Sequence, residues 1–226
     1  MTKAFASLVG PIGFYPVVPT AGWVQRLLSW GVRTVQLRIK AGDHSPAEIS
    51  AQVKAAVEAG RAVPGAQVFI NDHWKLALEY AAQGAYGVHL GQEDLTAAEG
   101  ADMEALRKAG LRLGLSTHTP AELARAHAVL PSYLAIGPIY PTTLKVMPYE
   151  PVGLERLALW AAQAALHPRL PVVAIGGISL ERLPGVLGCL NSPWDGAAVV
   201  SAVTLAADSH QAALEGLSIA QAAQKS

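Results

Sequence analysis

Eight short apolar runs, rich in β-branched and aromatic residues, recur along the 226-residue chain at a mean spacing of about 26 residues, the size of one strand–helix unit. They are GFYPVV (13–18), TVQLRI (34–39), QVFI (67–70), AYGVHL (85–90), LRLGLS (111–116), YLAIG (133–137), PVVAIGG (171–177) and AAVVS (197–201). Each is too brief for a helix, and most are separated by amphipathic stretches such as AEISAQVKAAVEAG, PAELARAHAVL and GLERLALWAAQAAL. Strands separated by helices pair in parallel, because parallel neighbours need a crossover connection. Eight such units close a barrel, so the expectation is an α/β chain folded as a single (β/α)8 TIM barrel over residues 1–226. An open doubly wound sheet is the runner-up, and it requires two of the runs not to be strands.

Helix punctuation agrees with this. Ser45–Pro46 and Thr119–Pro120 each place a capping hydroxyl before proline at the first helical position. Gly60, Gly84 and Gly110 follow helical runs, where a left-handed cap suits a residue without Cβ.

Composition narrows the partners. Hydrophobic residues are 51% of the chain, charged residues 15%, and the formal net charge is zero with no run of Lys or Arg. That argues against nucleic acid or an anionic membrane surface as a partner and for small-molecule substrates held by local charge. Cys189 is the sole cysteine, which excludes an intrachain disulfide and fits a reducing, cytoplasmic setting. The N-terminal stretch reads as mature protein, its apolar run broken by Gly10 and Pro11. No apolar stretch reaches the roughly 18 residues that span a bilayer. Homo-oligomerisation stays open.

In a barrel of this kind the chemistry gathers at the C-terminal ends of the strands, so those ends are read as one face. The second run supplies Gln36, Arg38 and Lys40, which period two places on one side. The third ends in Asn71–Asp72, for which a turn or a helix cap is the competing reading. The fourth leads to His89, Gln92, Glu93 and Asp94, the fifth to Ser116 and His118, and the sixth to Thr142, Thr143 and Lys145. Gly176–Gly177 end the seventh and Val200–Ser201 the eighth, where these barrels bind phosphate on bare backbone N–H groups. Arg38, Lys40 and Lys145 add charge for a larger anion such as pyrophosphate. Asp72 and Asp94 are hard oxygen ligands suited to Mg²⁺, although Asp94 alone reads equally as a helix cap. His89 and His118 read as structural walls, Glu93 as a solvated neighbour, and Trp23, Trp30, Trp74, Trp160 and Trp194 as packing residues.

Taken in order, VQLRIK, FINDHWKLA, YGVHLGQEDL, LRLGLSTHT, GPIYPTTLK, VVAIGGIS and AAVVSAVT closely resemble the thiamine phosphate synthase family, from about Tyr15 to Thr204. The resemblance implies a barrel that joins hydroxymethylpyrimidine pyrophosphate to a thiazole phosphate, releasing pyrophosphate and thiamine phosphate. It implies Gln36, Arg38, Lys40, Asn71, Ser116 and Lys145 at the pyrimidine pyrophosphate, with Arg38, Lys40, Lys145 and Ser116 carrying catalysis. It implies Mg²⁺ on Asp72 and Asp94, and the thiazole phosphate near Thr142, Thr143 and Leu144, with its phosphate on Gly177, Val200 and Ser201. One position departs: the family pattern PT-x-T-K meets Pro141-Thr142-Thr143-Leu144-Lys145 here, so Leu144 replaces a hydroxyl. The expected consequence is weaker preference for a carboxylated thiazole. Two rivals share the pocket: a thiazole tautomerase with His118 as proton carrier, and a non-catalytic binder of thiamine intermediates.

Overall fold

The computed structural model describes residues 3–40, 42, 44–97, 100–142, 149–166 and 168–224. Eight parallel strands close on themselves in sequence order: β1 (Gly13–Val18), β2 (Thr34–Leu37), β3 (Gln67–Asn71), β4 (Gly87–Leu90), β5 (Arg112–Thr117), β6 (Tyr133–Ile136), β7 (Val172–Ile175) and β8 (Gly196–Val199). The closing pair is β1 with β8, Tyr15 lying opposite Ala198. The open-sheet alternative is therefore excluded, and each of the eight apolar runs contributes a strand. Helices fill the crossovers: α1 (Ala21–Ser29), α2 (Pro46–Ala62), α3 (Trp74–Glu79), α4 (Gln92–Ala97), α5 (Ala101–Lys108), α6 (Pro120–Val129), α7 (Gly153–Ala164), α8 (Leu183–Leu187), α9 (Ser201–Thr204) and α10 (Ser209–Ala223).

Local chemistry starts these helices as expected. Ser45 accepts from the Glu48 N–H while Glu48 accepts from the Ser45 N–H, a reciprocal cap with Pro46 at the first turn. Thr119 caps α6 in the same sense, ahead of Pro120. Gly84 and Gly110 take the left-handed conformation past their helices. Gly60 does not end a helix: α2 continues to Ala62. A Cβ at Gly60 would lie 2.8 Å from Val68 Cγ2, so this glycine serves close packing of helix on strand. Trp194 is also no packing residue, standing 43% exposed, whereas Trp74 and Trp160 are buried.

Period two along each strand separates two apolar layers. Outward residues such as Phe14, Val18, Leu37, Ile70 and Leu115 pack beneath the helices. Inward residues Tyr15, Val17, Phe69, Tyr133, Ala135, Val173 and Ala198 fill the lumen. The aromatic rings fit only because their neighbours lack side chains. A Cβ at Gly114 would fall within the Tyr133 ring, and one at Gly87 would lie 2.9 Å from Phe69 Cε1. Leu8 and Ile12 plug the lumen from below, and the chain around them is tied to strand starts. Gln67 donates to the carbonyls of Gly10 and Pro11, Arg112 to that of Ser7, and Ser132 to that of Ala6. With its floor closed, the barrel has its polar opening at the strand C-termini.

Gly114→Ala is expected to lower stability by about 1–3 kcal/mol, the usual cost of forcing atoms into a packed core. Gly185→Ala, on the exposed side of α8 with nothing nearer than 3.9 Å, should instead raise it by roughly 0.5–1 kcal/mol. A urea midpoint for Gly114→Ala at or above that of the parent would contradict the assignment of Gly114 to ring packing.

Candidate active site

The strand ends gather most of the expected residues at one mouth. β3 ends at Asn71, and Asp72 follows in the left-handed region at φ 62, which disfavours side chains other than Asn and Asp. Its N–H donates to the His89 carbonyl at 3.0 Å, and its own carbonyl accepts from Trp74 N–H at 2.8 Å. Asp72 is not a helix cap: the cap position of α3 is His73, and no side chain caps it. The backbone instead turns Asp72 towards the fourth strand's exit, where Asp94 stands in the first turn of α4. Asp94 does serve its helix, accepting from Gly91 N–H at 3.2 Å, so the capping reading is right in part.

Asp94 and Asn71 both act on the Asp72 carboxyl at close range, Asp94 favouring its protonated form and Asn71 its charged one. Two carboxyl groups held so near each other favour a proton or a cation between them. Partial desolvation against the rim and then the Asp94 charge push Asp72 up to about 6, opposed by the Arg38 guanidinium and the Asn71 amide. Although Asp72 as a residue is solvent-exposed, the inner side of its carboxyl is crowded, which accounts for the desolvation. Among the described residues no group of three or more His, Cys, Asp or Glu surrounds a point. A pair of carboxylates suits a hard ion that keeps most of its water.

Arg38 is half-buried just past β2, and its charge acts on both Asp72 and His89, which places it inside the mouth. Lys40 is exposed two residues further on. Gln36 is deeper than a free substrate contact would be: it is 3% exposed, and its Nε2 donates to the Tyr15 hydroxyl at 3.1 Å. Ser116, half-buried near the end of β5, bonds through Oγ to His89 Nε2 at 2.8 Å. His89 is fully enclosed, its Nδ1 2.7 Å from the Tyr133 hydroxyl, and burial pulls its pKa down to about 3. It is a hydrogen-bonded wall and a neutral one. Glu93 is exposed, as a solvated neighbour should be.

His118 is also engaged: Nδ1 lies 2.9 Å from Glu122 Oε2, and the ring stacks on Tyr149 with centroids 4.7 Å apart. Gln92 donates to the Ser116 carbonyl and accepts from Arg125, linking α4 to β5 and α6. On the opposite side of the mouth, Ile175 of β7 pairs with Ala198 of β8, and Gly177 and Val200 each follow two residues later. Gly176 and Gly177 have φ of 103 and 65, and a Cβ on Gly177 would lie 2.6 Å from the Pro141 carbonyl oxygen. Bare backbone is thus required there by packing as well as by conformation. Ser201 begins α9, and Thr142 stands at the same rim beyond β6. Thr143, Leu144 and Lys145 lie outside the described residues.

Sequence reasoning missed the two lumen tyrosines. Tyr15 and Tyr133 lie in apolar runs with nothing local to mark them, and their hydroxyls meet at 2.9 Å across 118 residues of chain. It also missed Arg182, whose guanidinium donates to the Gly177 carbonyl and lies over the Tyr140 ring.

Comparison with known proteins gives the family. A family model described as thiamine monophosphate synthase matches residues 15–203. A thiamine-phosphate synthase of Salmonella paratyphi B is 50% identical over 209 residues, 92% of each chain. One from Yersinia pestis is 49% identical over 207 residues, 92% of this chain and 89% of that one. The solved structure of thiamine phosphate pyrophosphorylase from Pyrococcus furiosus superimposes with a TM-score of 0.74 at 30% identity, covering 94% of this chain and 96% of the other. A Mycobacterium tuberculosis tryptophan synthase structure, at 16% identity and TM-score 0.67, is alike in fold alone. With the family model covering most of its length and relatives at half identity, the chain belongs to the thiamine monophosphate synthase family.

Proposed function

We propose that this protein joins 4-amino-2-methyl-5-hydroxymethylpyrimidine pyrophosphate to a thiazole phosphate, giving thiamine phosphate and pyrophosphate, or to its carboxylated form, giving the same products with loss of carbon dioxide. The observation that carries the reading is the carboxyl pair Asp72–Asp94 beside Arg38, at the same mouth as Ser116. A site with that mixture of charge suits a multiply charged leaving group and the cation that accompanies it.

In this reading the methylene–oxygen bond of the pyrimidine breaks first, and its electron pair leaves with pyrophosphate. The amino-pyrimidine ring spreads the positive charge left on the methylene carbon. The thiazole nitrogen then donates its lone pair to that carbon. With the plain thiazole phosphate no proton need move, so the protein's task is to stabilise the departing anion and keep water from the cation; with the carboxylated form the ring carbon keeps the electron pair of the broken carboxylate bond and takes a proton from solvent. Arg38, whose charge acts on Asp72, takes a pyrophosphate oxygen in this reading, with Lys40 at the rim and Ser116 offering a hydroxyl. Gly177, Val200 and Ser201 supply backbone N–H groups and a hydroxyl for the thiazole phosphate. Asp72 and Asp94 fit Mg²⁺, whose bound chemistry is to neutralise pyrophosphate charge. A tautomerase would have no use for a pyrophosphate grip of the kind that Arg38 and the carboxyl pair offer. Among the described residues no helix is long and apolar enough to cross a membrane.

Purified protein with both substrates and Mg²⁺ should release pyrophosphate and form thiamine phosphate. Tautomerisation or binding without pyrophosphate release would overturn the reading. Asp72→Asn, which tolerates the left-handed backbone, should lower kcat/KM by about 100-fold at limiting Mg²⁺. Unchanged activity would remove the metal assignment.

Stability carries a second test. The native chain holds the Asp72 proton to about pH 6, whereas an ordinary aspartate releases it near 3.8. Between those values the unfolded chain binds fewer protons, so metal-free stability falls as pH rises through this window and stays lower above it. In the absence of metal, Asp72→Asn should therefore melt above the parent at pH 7, with the gap closing towards pH 4. Adding Mg²⁺ at pH 7 should raise the parent's Tm and leave the variant's unchanged. A parent–variant gap independent of pH would show that the carboxyl pair is not strained.

A further inference from the structure

A row of hydrogen bonds crosses the lumen from Gln36 to Ser116. Gln36 Nε2 lies 3.1 Å from the Tyr15 hydroxyl, that hydroxyl 2.9 Å from the Tyr133 hydroxyl, and the latter 2.7 Å from His89 Nδ1. The far ring nitrogen, Nε2, lies 2.8 Å from Ser116 Oγ. Gln36 and His89 are buried, and both tyrosines are almost wholly enclosed. A hydroxyl has one proton to give, and a buried one left without an acceptor is costly. Those constraints allow only one assignment with the Gln36 amide donating. Tyr15 then gives its proton to Tyr133, Tyr133 gives its own to His89 Nδ1, and the neutral imidazole donates from Nε2 to Ser116 Oγ. The Ser116 proton has no place in the row and is left to point outwards. A doubly protonated ring would break the pattern, leaving the Tyr15 proton without an acceptor.

We infer that this row sets the polarity of Ser116: His89, held as its Nε2–H tautomer by Tyr133, fixes the serine hydroxyl as a hydrogen-bond donor to the pyrophosphate oxygen that leaves. The inference rests on the proposed reaction. Gln36 anchors the buried end of the row, and Ser116 is its end at the mouth. His89, Tyr133 and Tyr15 are positioning residues that touch no substrate. Turning the Gln36 amide over would reverse every donor in the row and present a serine lone pair to an anion. The geometry of Gln36 and the charge of the leaving group both favour the outward direction.

The tautomer can be read in the resting protein by ¹⁵N–¹H correlation spectra of the imidazole, with the His89 signal assigned through its loss in His89→Gln. The expected result is the proton on Nε2 in the parent and in Tyr15→Phe, where Tyr133 still donates to Nδ1. In Tyr133→Phe that donor is gone, and the Nε2–H form should no longer be held. A proton on Nδ1 in the parent overturns the inference whether or not the reaction is the one proposed. In turnover, Tyr133→Phe should lower kcat roughly tenfold with KM for the pyrimidine pyrophosphate changed less than about twofold. In a Ser116→Ala background the same change should lower kcat by less than about twofold, because the residue acts through Ser116. A full tenfold loss in that background would also overturn the inference. A parent that makes no thiamine phosphate would refute the reaction while leaving the spectroscopic test of the row in place.

Discussion

Buried polar atoms in the lumen must find their partners inside it, and much of this barrel follows from that requirement. Tyr15, Tyr133, Gln36 and His89 put hydroxyl, amide and imidazole groups where water cannot reach. A partly paired set of this kind would cost more than an apolar core, because each orphaned group forfeits its hydration. Here the groups pair with one another in a single row that ends at Ser116. The rings that carry the row then dictate the space around them, which is why Gly114 must lie beneath Tyr133 and Gly87 beside Phe69. The interior is at once a packed core and a set of oriented dipoles aimed at one rim.

That rim gains its charge from residues with unfavourable local positions. Asp72 occupies a left-handed backbone conformation and faces a second carboxyl. Neither feature aids the fold, and their coincidence at a strand end is the pattern expected where binding energy rather than stability has shaped the chain. Arg38 relieves part of the repulsion. The carboxyl pair stands where β3 and β4 end, while Gly177 and Val200 follow β7 and β8 across the barrel from them.

Much of this architecture was legible in the chain itself. Alternation of short apolar runs with helical stretches fixes the order of strands, and Ser45–Pro46 and Thr119–Pro120 mark two helix starts by chemistry that acts over three or four residues. Gly60 was misread for a physical reason: a glycine that ends a helix and one that lets a helix approach Val68 look the same in sequence. Trp194 was misread because exposure depends on neighbours from other parts of the chain. Asp94 shows the remaining ambiguity, for one carboxylate both caps its helix and faces Asp72.

The sequence by itself determined the repeating unit, the barrel class and the polar character of the strand ends, since all of these rest on periodicity and short-range capping. Tertiary structure alone decided which atoms meet. Tyr15 and Tyr133 are 118 residues apart, and Ser116 and His89 come from strands whose intervening chain is helix. Their contacts exist because closing β1 on β8 turns every second residue of each strand towards one axis. Only in that enclosed space, where a donor without an acceptor is penalised, does the direction of each hydrogen bond acquire meaning.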